Sequence, residues 1–309
     1  MVVGQFLTPS VREGFLERPI LSSAIALVGI TALASFVHSS FMTEEPMEYS
    51  LKKMRDGIDS KIFFIWEKVL DISVVNPLKK WLPLGKESHF GSDESEALER
   101  EAQEEFAKKG LSLTQILTEA KEVLDFQEEI KVNLEKSKIA ATSSGICPKK
   151  ITLNLDHIAD KTDALFFLGH ELGHSINEDI LKSHVTTILS NGMTVYQLFK
   201  LLLTIDDPET PTLSLLARRF LPILGCLYVK HVQERHVEFR ADRHGLFLLH
   251  AKQKLKSLLE KYHLKITPKE ALKSATSWPN PPGYRESVHF RYEEGMKMSE
   301  DPNASLNTL

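Results

Sequence analysis

The chain has 309 residues, 42% of them hydrophobic and 26% charged, so it can bury a substantial core and has the composition of a folded domain. Its formal net charge of −4 provides no basic field for nucleic acid, and the sequence contains no nucleic-acid-binding motif. The two cysteines, Cys147 and Cys226, are too few for a disulfide framework and lack the spacing of a thiolate zinc site.

The N-terminal region contains an uncharged run from Pro19 to Thr43, which is long enough to cross a bilayer as a helix. We predict that residues 19–43 contact membrane lipid as a single anchor, in a bacterial inner membrane or an equivalent one. A cleavable signal peptide is one alternative, because Ala32 and Ala34 have the usual small-residue spacing. A buried core helix is the other. Basic residues on both sides leave the orientation open.

The segment that follows, residues 44–94, is predicted to be a helical and linker region. Its apolar stretch at residues 62–75 has the pattern of an amphipathic helix that packs on the domain or on a membrane surface. Acidic and polar residues then indicate a linker running into a solvated helix. A further helix is predicted over residues 113–136.

Residues 137–155 change the pattern and are predicted to form a short β-hairpin. Ile151, Leu153 and Leu155 alternate with polar residues, and the turn signal SGICP precedes them. A strand over Ile151–Leu155 can bind an extended polypeptide by strand addition, which depends on main-chain hydrogen bonds and gives little sequence specificity.

The stretch FFLGHELGHSINEDI, residues 166–180, places His170, Glu171 and His174 in an otherwise apolar run. Asp160 is a suitable N-cap for a helix through this stretch. Histidines four residues apart lie on one helix face, so both imidazoles can reach one tetrahedral zinc ion. Glu171 is near enough to act on a zinc-bound water without being a ligand. The alternative is a structural histidine pair that is hydrogen-bonded to other groups.

Two apolar stretches, residues 185–205 and 213–229, follow this motif. Lys200 interrupts the first, and Arg218 and Arg219 lie in the middle of the second. Charges at the centre of a bilayer are costly, so we predict amphipathic helices that pack on the domain rather than membrane spans.

A catalytic zinc needs a third protein ligand and one open position. The metzincin pattern is excluded, because Asn177 and Ile180 occupy the positions where it requires Gly and His. Downstream, Glu238 and Asp242 are four apart on a predicted helix, so one can bind the metal while the other accepts the second N–H of a ligating histidine. Glu234 shares that face and is the rival third ligand.

The pair of motifs HELGH and EFRAD resembles the M48 peptidases of the gluzincin clan, over roughly residues 95–290. That family includes bacterial membrane and periplasmic proteases, the CAAX prenyl protease and a mitochondrial inner-membrane stress protease. The resemblance implies that His170, His174 and Glu238 are zinc ligands. It also implies that Glu171 is the catalytic base and that Asp242 is a carboxylate that holds a ligating histidine.

Two segments depart from the family pattern. Trp278 stands where the family commonly has His, although Arg285 fits, and the hairpin lacks the usual Asn-Ala-Phe segment. Peptide hydrolysis also needs a group that stabilises the oxyanion. Arg285 is our first candidate for that group, and Tyr284 and His289 are the others.

The sequence therefore predicts an α+β, mainly helical fold. It contains a zincin-type domain at residues 95–295, with an HExxH helix, a small hairpin or sheet and a Glu-bearing helix, and then a flexible tail at 296–309. The predicted function is a membrane-associated zinc-dependent endopeptidase, with Glu171 as general base for a zinc-activated water and unfolded or membrane polypeptides as substrates. The alternatives are a latent zinc module that binds a partner, with His231 or His289 as fourth ligand, and a processing enzyme with one dedicated substrate.

Overall fold

The structure is a computed structural model that describes residues 45–81, 103–135, 141–144, 149–204, 212–263 and 284–306. At several helix ends within these ranges it describes the backbone only. The predicted membrane segment, residues 1–43, lies outside the described residues. In the described part the chain is mainly helical and has one small sheet, which agrees with the predicted α+β class.

The helices are α1 (Glu45–Leu70), α2 (Asn76–Trp81), α3 (Leu113–Val123), α4 (Lys161–Ile176), α5 (Asp179–Thr204), α6 (Thr212–Ala251), α7 (Leu255–His263) and α8 (Tyr284–Glu300). A π-helical turn over Asp71–Val75 joins α1 to α2. The strands are β1 (Ile130–Glu135), β2 (Ala141–Ser144) and β3 (Lys149–Asn154). Predicted helices at residues 62–75 and around the HELGH motif are confirmed by α1 with its π-helical turn and by α4.

The chain divides into two compact units, and each unit boundary falls inside a helix. One unit runs to Glu67 and includes Ser183–Gln233, and we call it the helical unit. The other comprises Lys68–Lys182 and the chain from Glu234 onward, and we call it the sheet unit. The sheet unit contains both sequence motifs.

Strand β1 corrects one prediction, because the helix expected over residues 113–136 ends at Val123. Asp125 has a left-handed backbone with a φ of 49°, which stops the helix. The chain then extends, and Ile130, Val132 and Leu134 point alternately into the core. Alternation with a period of two is typical of a strand, and the predicted helix wrongly included these residues.

The predicted hairpin is confirmed, with β2 antiparallel to β3 and Ala141 opposite Leu153. Strand β1 adds to the other side of β3 in parallel, so β3 is the central strand. Strand addition at β3 is therefore wrong, because both of its edges are already hydrogen-bonded. Among the described strands, β1 and β2 each have an unpaired outer edge, and of these two β2 packs closely against α4.

The core of the sheet unit forms where α4 packs on the sheet and on α6. Asp160 caps α4 as predicted, since its side chain accepts hydrogen bonds from the backbone N–H groups of Thr162 and Asp163. Leu165, Phe166, Leu168 and Leu172 of α4 are completely buried, which explains the apolar run around the motif. Helix α8 runs through residue 296, where the flexible tail was predicted to begin, and Met298 lies in the core.

The helical unit contains α1 to Glu67 and both apolar stretches. Trp66 Nε1 donates to Thr186 Oγ1 at 2.9 Å in a partly buried contact, and the Tyr228 hydroxyl donates to Asp59 in a buried one, so side-chain hydrogen bonds join its helices. The stretch at 213–229 is the first part of α6, which continues unbroken through the EFRAD motif. Among the described residues, no helix combines the length and apolar character that a membrane span requires.

Candidate metal centre

Two glycine contacts bring α4 close to the second half of α6. A Cβ added to Gly169 would lie 3.0 Å from the Cα atom of Gly245, and one added to Gly173 would lie 3.0 Å from the His244 ring. Side chains larger than hydrogen would therefore separate the two helices. This close approach places the HELGH motif of α4 against the EFRAD motif of α6.

The structure brings the side chains of His170, His174 and Glu238 together. The two Nε2 atoms are 3.2 Å apart, and carboxylate oxygens of Glu238 lie 3.4 Å from Nε2 of His170 and 3.8 Å from Nε2 of His174. Ligand atoms at about 2.1 Å from a tetrahedral ion are about 3.4 Å apart from one another. The three side chains are therefore spaced as ligands of one metal ion.

The hydrogen bonds on the other side of each ring test whether a metal fits. His170 Nδ1 lies 2.9 Å from Oδ1 of Asp242, and His174 Nδ1 lies 3.1 Å from Oδ2 of Asp179. A carboxylate only accepts, so each Nδ1 donates to the carboxylate behind it, and each Nε2 is turned toward the other ligand candidates. The two Nε2 atoms and the Glu238 carboxylate converge at one point, where a bound cation would replace a proton held between His170 and Glu238. These residues therefore fit a metal ion.

Both carboxylates behind the histidines are themselves held by arginines. Arg291 Nε donates to Oδ1 of Asp242 at 3.0 Å, and Arg240 donates to Oδ1 of Asp179. Asp242 is 0% exposed and Asp179 is 2% exposed, and buried carboxylates are costly unless they are paired. One Asp–Arg ion pair therefore lies behind each of the two histidines.

The local electrostatics favour positive charge at the convergence point. Burial opposes charge on the His170 ring, but hydrogen bonds to Asp242 and Glu238 outweigh burial and raise the pKa of His170 to about 10. Burial likewise raises the pKa of Glu238, but the hydrogen bond to His170 and the two histidine charges lower it below its ordinary value. The shift of His170 reflects the negative potential that the carboxylates create at its ring, which suits a bound cation, and the shift of Glu238 reflects stabilisation of its carboxylate by the histidines.

Glu171 lies next to the cluster on α4 and is 4% exposed. Burial raises the pKa of its carboxyl, although the neighbouring histidines lower it in part. Ser143 of β2, one of the two edge strands, hydrogen-bonds to the Glu171 side chain. Glu171 therefore lies between the donor cluster and the sheet edge.

Other predicted candidates are not in the cluster or cannot be compared with it. Among the described residues, the group that can hold a metal contains Glu238 and includes neither Glu234 nor His231. The side chains of the remaining candidates lie outside the described residues, namely Trp278, Tyr284, Arg285 and His289.

Sequence reasoning missed Asp179, Arg240 and Arg291. Asp179 is five residues after His174 but on a different helix, and Glu178 between them has a positive φ of 58°. Helical spacing therefore gives no signal for the contact. The two arginines are 61 and 49 residues from their carboxylate partners, so only the fold reveals them.

A comparison with known protein families gives one match. The family described as peptidase family M48 matches residues 107–296, which is more than half of the chain and includes both motifs. Searches among curated proteins and among solved structures return no match.

Proposed function

The chain belongs to peptidase family M48, a family of metallopeptidases, and from this premise we propose that it is a membrane-associated zinc-dependent endopeptidase. His170, His174 and Glu238 would be the zinc ligands. The observation that carries the proposal is the convergence of two imidazole Nε2 atoms and a carboxylate at the spacing of ligands around one ion. Two nitrogens and one oxygen leave a fourth tetrahedral position open, as in catalytic zinc sites.

Glu171 is the proposed general base. When bound, zinc supplies a Lewis acid for the scissile carbonyl and makes a water acidic at neutral pH. The Glu171 carboxylate then accepts a proton from the attacking water and delivers it to the leaving amine nitrogen. The raised pKa of Glu171 supports this role, because proton transfer in both directions works best when the pKa approaches the working pH.

The proposed substrate is an extended polypeptide lying along the outer edge of β2. An edge strand offers unpaired backbone N–H and C=O groups to a chain of almost any sequence. Because Ser143 of β2 contacts Glu171, a chain on this edge passes close to the general base. Unfolded or membrane polypeptides fit such recognition. Arg285 remains our candidate for stabilising the oxyanion.

Membrane association is proposed on two grounds. The uncharged sequence of residues 19–43 is suited to a bilayer. In addition, most of the exposed large apolar side chains of the described residues belong to the helical unit, among them Phe64, Ile188 and Phe199. A large exposed apolar patch typically marks a membrane or protein contact.

The substitution Glu171→Gln tests the proposal, because it preserves size and removes the base. We expect zinc content and the unfolding midpoint to stay at wild-type levels while casein cleavage falls by about two to four orders of magnitude. Glu234→Gln is the matched control and should retain both zinc and activity. The assays are metal analysis, thermal unfolding and cleavage with and without a chelator.

The same assays distinguish an active endopeptidase from a latent zinc module that binds a partner. If wild type and Glu171→Gln bind zinc equally and neither cleaves any polypeptide offered, the endopeptidase proposal fails and a partner-binding role replaces it. Zinc loss in Glu234→Gln would instead reassign the third ligand.

A further inference from the structure

The two ligand histidines are supported by two different carboxylates. His170 contacts Asp242, four residues after Glu238 in the EFRAD motif, as expected from the sequence. His174 contacts Asp179, the first residue of α5, and Asp179 in turn contacts Arg240. This second arrangement has no counterpart in the sequence reasoning.

We propose that Asp179 and Arg240 form a positioning pair that fixes the orientation of the His174 ring and joins the two halves of the ligand set. This inference rests on the proposed function, since it assumes that His174 binds the metal. The pair contacts His174 and not the reacting atoms, so its members are positioning residues.

The geometry gives each member a separate task. Asp179 uses one carboxylate oxygen for His174 Nδ1 and the other for Arg240, so its side chain cannot rotate without losing one contact. Arg240 lies two residues after Glu238 on α6, and it therefore ties the helix of the third ligand to the partner of the second. Loss of Arg240 leaves a carboxylate that is 2% exposed without this partner, which is costly.

The backbone around Asp179 is held independently of that pair. Lys149 Nζ donates to the Ser175 carbonyl at 2.8 Å and to Oε1 of Glu178 at 3.0 Å. Lys79 forms a second ion pair with Glu178 at 2.9 Å. The turn that precedes Asp179 is therefore fixed by its own contacts. Replacing the Asp179 side chain is expected to free the ring of His174 rather than unfold the turn.

Metal affinity measured on the full-length chain tests the pair. Zinc competition against a chromophoric chelator would compare wild type with Asp179→Asn, Arg240→Ala, Arg240→Lys and the double variant. Removing a partner behind a ligating histidine typically weakens metal binding 10- to 100-fold, and we expect about that loss in each of the first two variants. Arg240→Lys should restore part of it. The double variant should bind zinc only slightly less tightly than the single variant with the lower affinity, because both substitutions break the same series of contacts from Arg240 through Asp179 to His174.

Asp163→Asn is the matched control. Asp163 is a buried carboxylate on α4 that pairs with Lys261 and is not in contact with the ligand histidines. Its replacement should lower general stability and leave zinc affinity unchanged within about twofold. The visible absorption bands of the cobalt-substituted protein should shift in the Asp179 and Arg240 variants and stay in place in the control.

Three outcomes would overturn the proposal that Asp179 and Arg240 position His174. In the first, Asp179→Asn and Arg240→Ala keep wild-type zinc affinity and cobalt spectra while His174→Ala loses the metal. This result would contradict the positioning pair and leave the proposed function intact. Equal loss in the Asp163 control would assign the effect to general destabilisation. A wild-type chain that binds no zinc would overturn the proposed function as well. If Asp179→Asn does not fold, the zinc affinities of Arg240→Ala and Arg240→Lys test the proposal. Equal affinities in these two variants would contradict it.

Discussion

Asp163, Asp179 and Asp242 of the sheet unit are almost completely buried, whereas Ile188 and Phe199 of the helical unit are 68% and 57% exposed. In the sheet unit each of these carboxylates has a cationic partner. Buried charges are tolerated only with such partners, so these ion pairs hold the three carboxylates in fixed geometry within the apolar core of that unit. The helical unit presents apolar side chains that another surface can cover.

This difference suggests that the two units have different roles. Metal ligands need rigid support, and the packed interior around α4 provides it. The exposed apolar side chains of the helical unit are suited to association. The predictions below test this contrast between the two units, beginning with the largest expected effect.

The largest effect should follow loss of a ligand in the sheet unit. Purified wild type should contain about one zinc per chain, and His174→Ala or Glu238→Ala should contain almost none, because two remaining ligands hold zinc poorly. Metal analysis after dialysis measures this. Glu234→Ala is the control and should keep its zinc. The reverse result, with zinc kept in Glu238→Ala and lost in Glu234→Ala, would assign the third ligand to Glu234.

Removing the same side chain from each unit should then have very different effects on stability. Ile151 in β3 is 0% exposed and Ile188 in α5 is 68% exposed. Ile151→Ala should lower the free energy of unfolding by about 2–5 kcal/mol through lost burial and a cavity. Ile188→Ala should change it by less than about 0.5 kcal/mol. Urea denaturation followed by circular dichroism compares them. Similar losses would show that the exposed face is packed in solution.

Replacing one glycine in each unit with alanine should change stability by smaller amounts and in opposite directions. A Cβ at Gly245 would lie 2.8 Å from the Phe166 carbonyl oxygen, so Gly245→Ala should push α6 from α4 and cost about 1–3 kcal/mol. Gly192 in α5 has no atom within 4 Å of an added Cβ, so Gly192→Ala should stabilise by about 0.5–1 kcal/mol. Thermal unfolding measures both. Zinc affinity should fall only in the Gly245 variant, and an unchanged affinity there would contradict the close helix contact.

The parts of the fold that the sequence predicts are those with local signals. The N-cap at Asp160 and the apolar run of α4 are read within one helix, and so is the spacing of His170 and His174. Strand β1 was missed because Ile130, Val132 and Leu134 directly follow a strongly helical segment, and the helical pattern was extended over them.

The rest depends on contacts between distant residues. Pairing of β1 with β3 makes β3 central, and nothing in the hairpin sequence indicates that third strand. Asp179 meets Arg240 only because α4 and α6 cross at Gly169 and Gly245. Motif spacing therefore indicated the proposed ligands, whereas it gave no indication of Asp179 behind His174.

The smallest expected effect on stability, and the sharpest test of the contrast, concerns the apolar face of α5. Ile188, Val195 and Phe199 lie on one side of this helix, since they are seven and four residues apart, and each is exposed. Removing residues 1–43 should release the protein from membranes in a carbonate wash, because Lys200, Arg218 and Arg219 interrupt the apolar stretches at 185–205 and 213–229. The released protein should still float with lipid vesicles through this face.

Replacing all three side chains with Gln in the truncated protein should abolish most of that vesicle binding. Zinc content and the unfolding midpoint should stay close to the values of the unsubstituted truncated protein, because exposed substitutions away from packed features usually change stability by less than about 0.5 kcal/mol each. Asn191→Gln, at another exposed position of α5, is the control for substitution itself. If the truncated protein resists carbonate extraction, the helical unit enters the bilayer, and the prediction of peripheral helices is wrong. If the triple variant binds vesicles as before, the exposed face serves a protein partner or a second copy of the chain.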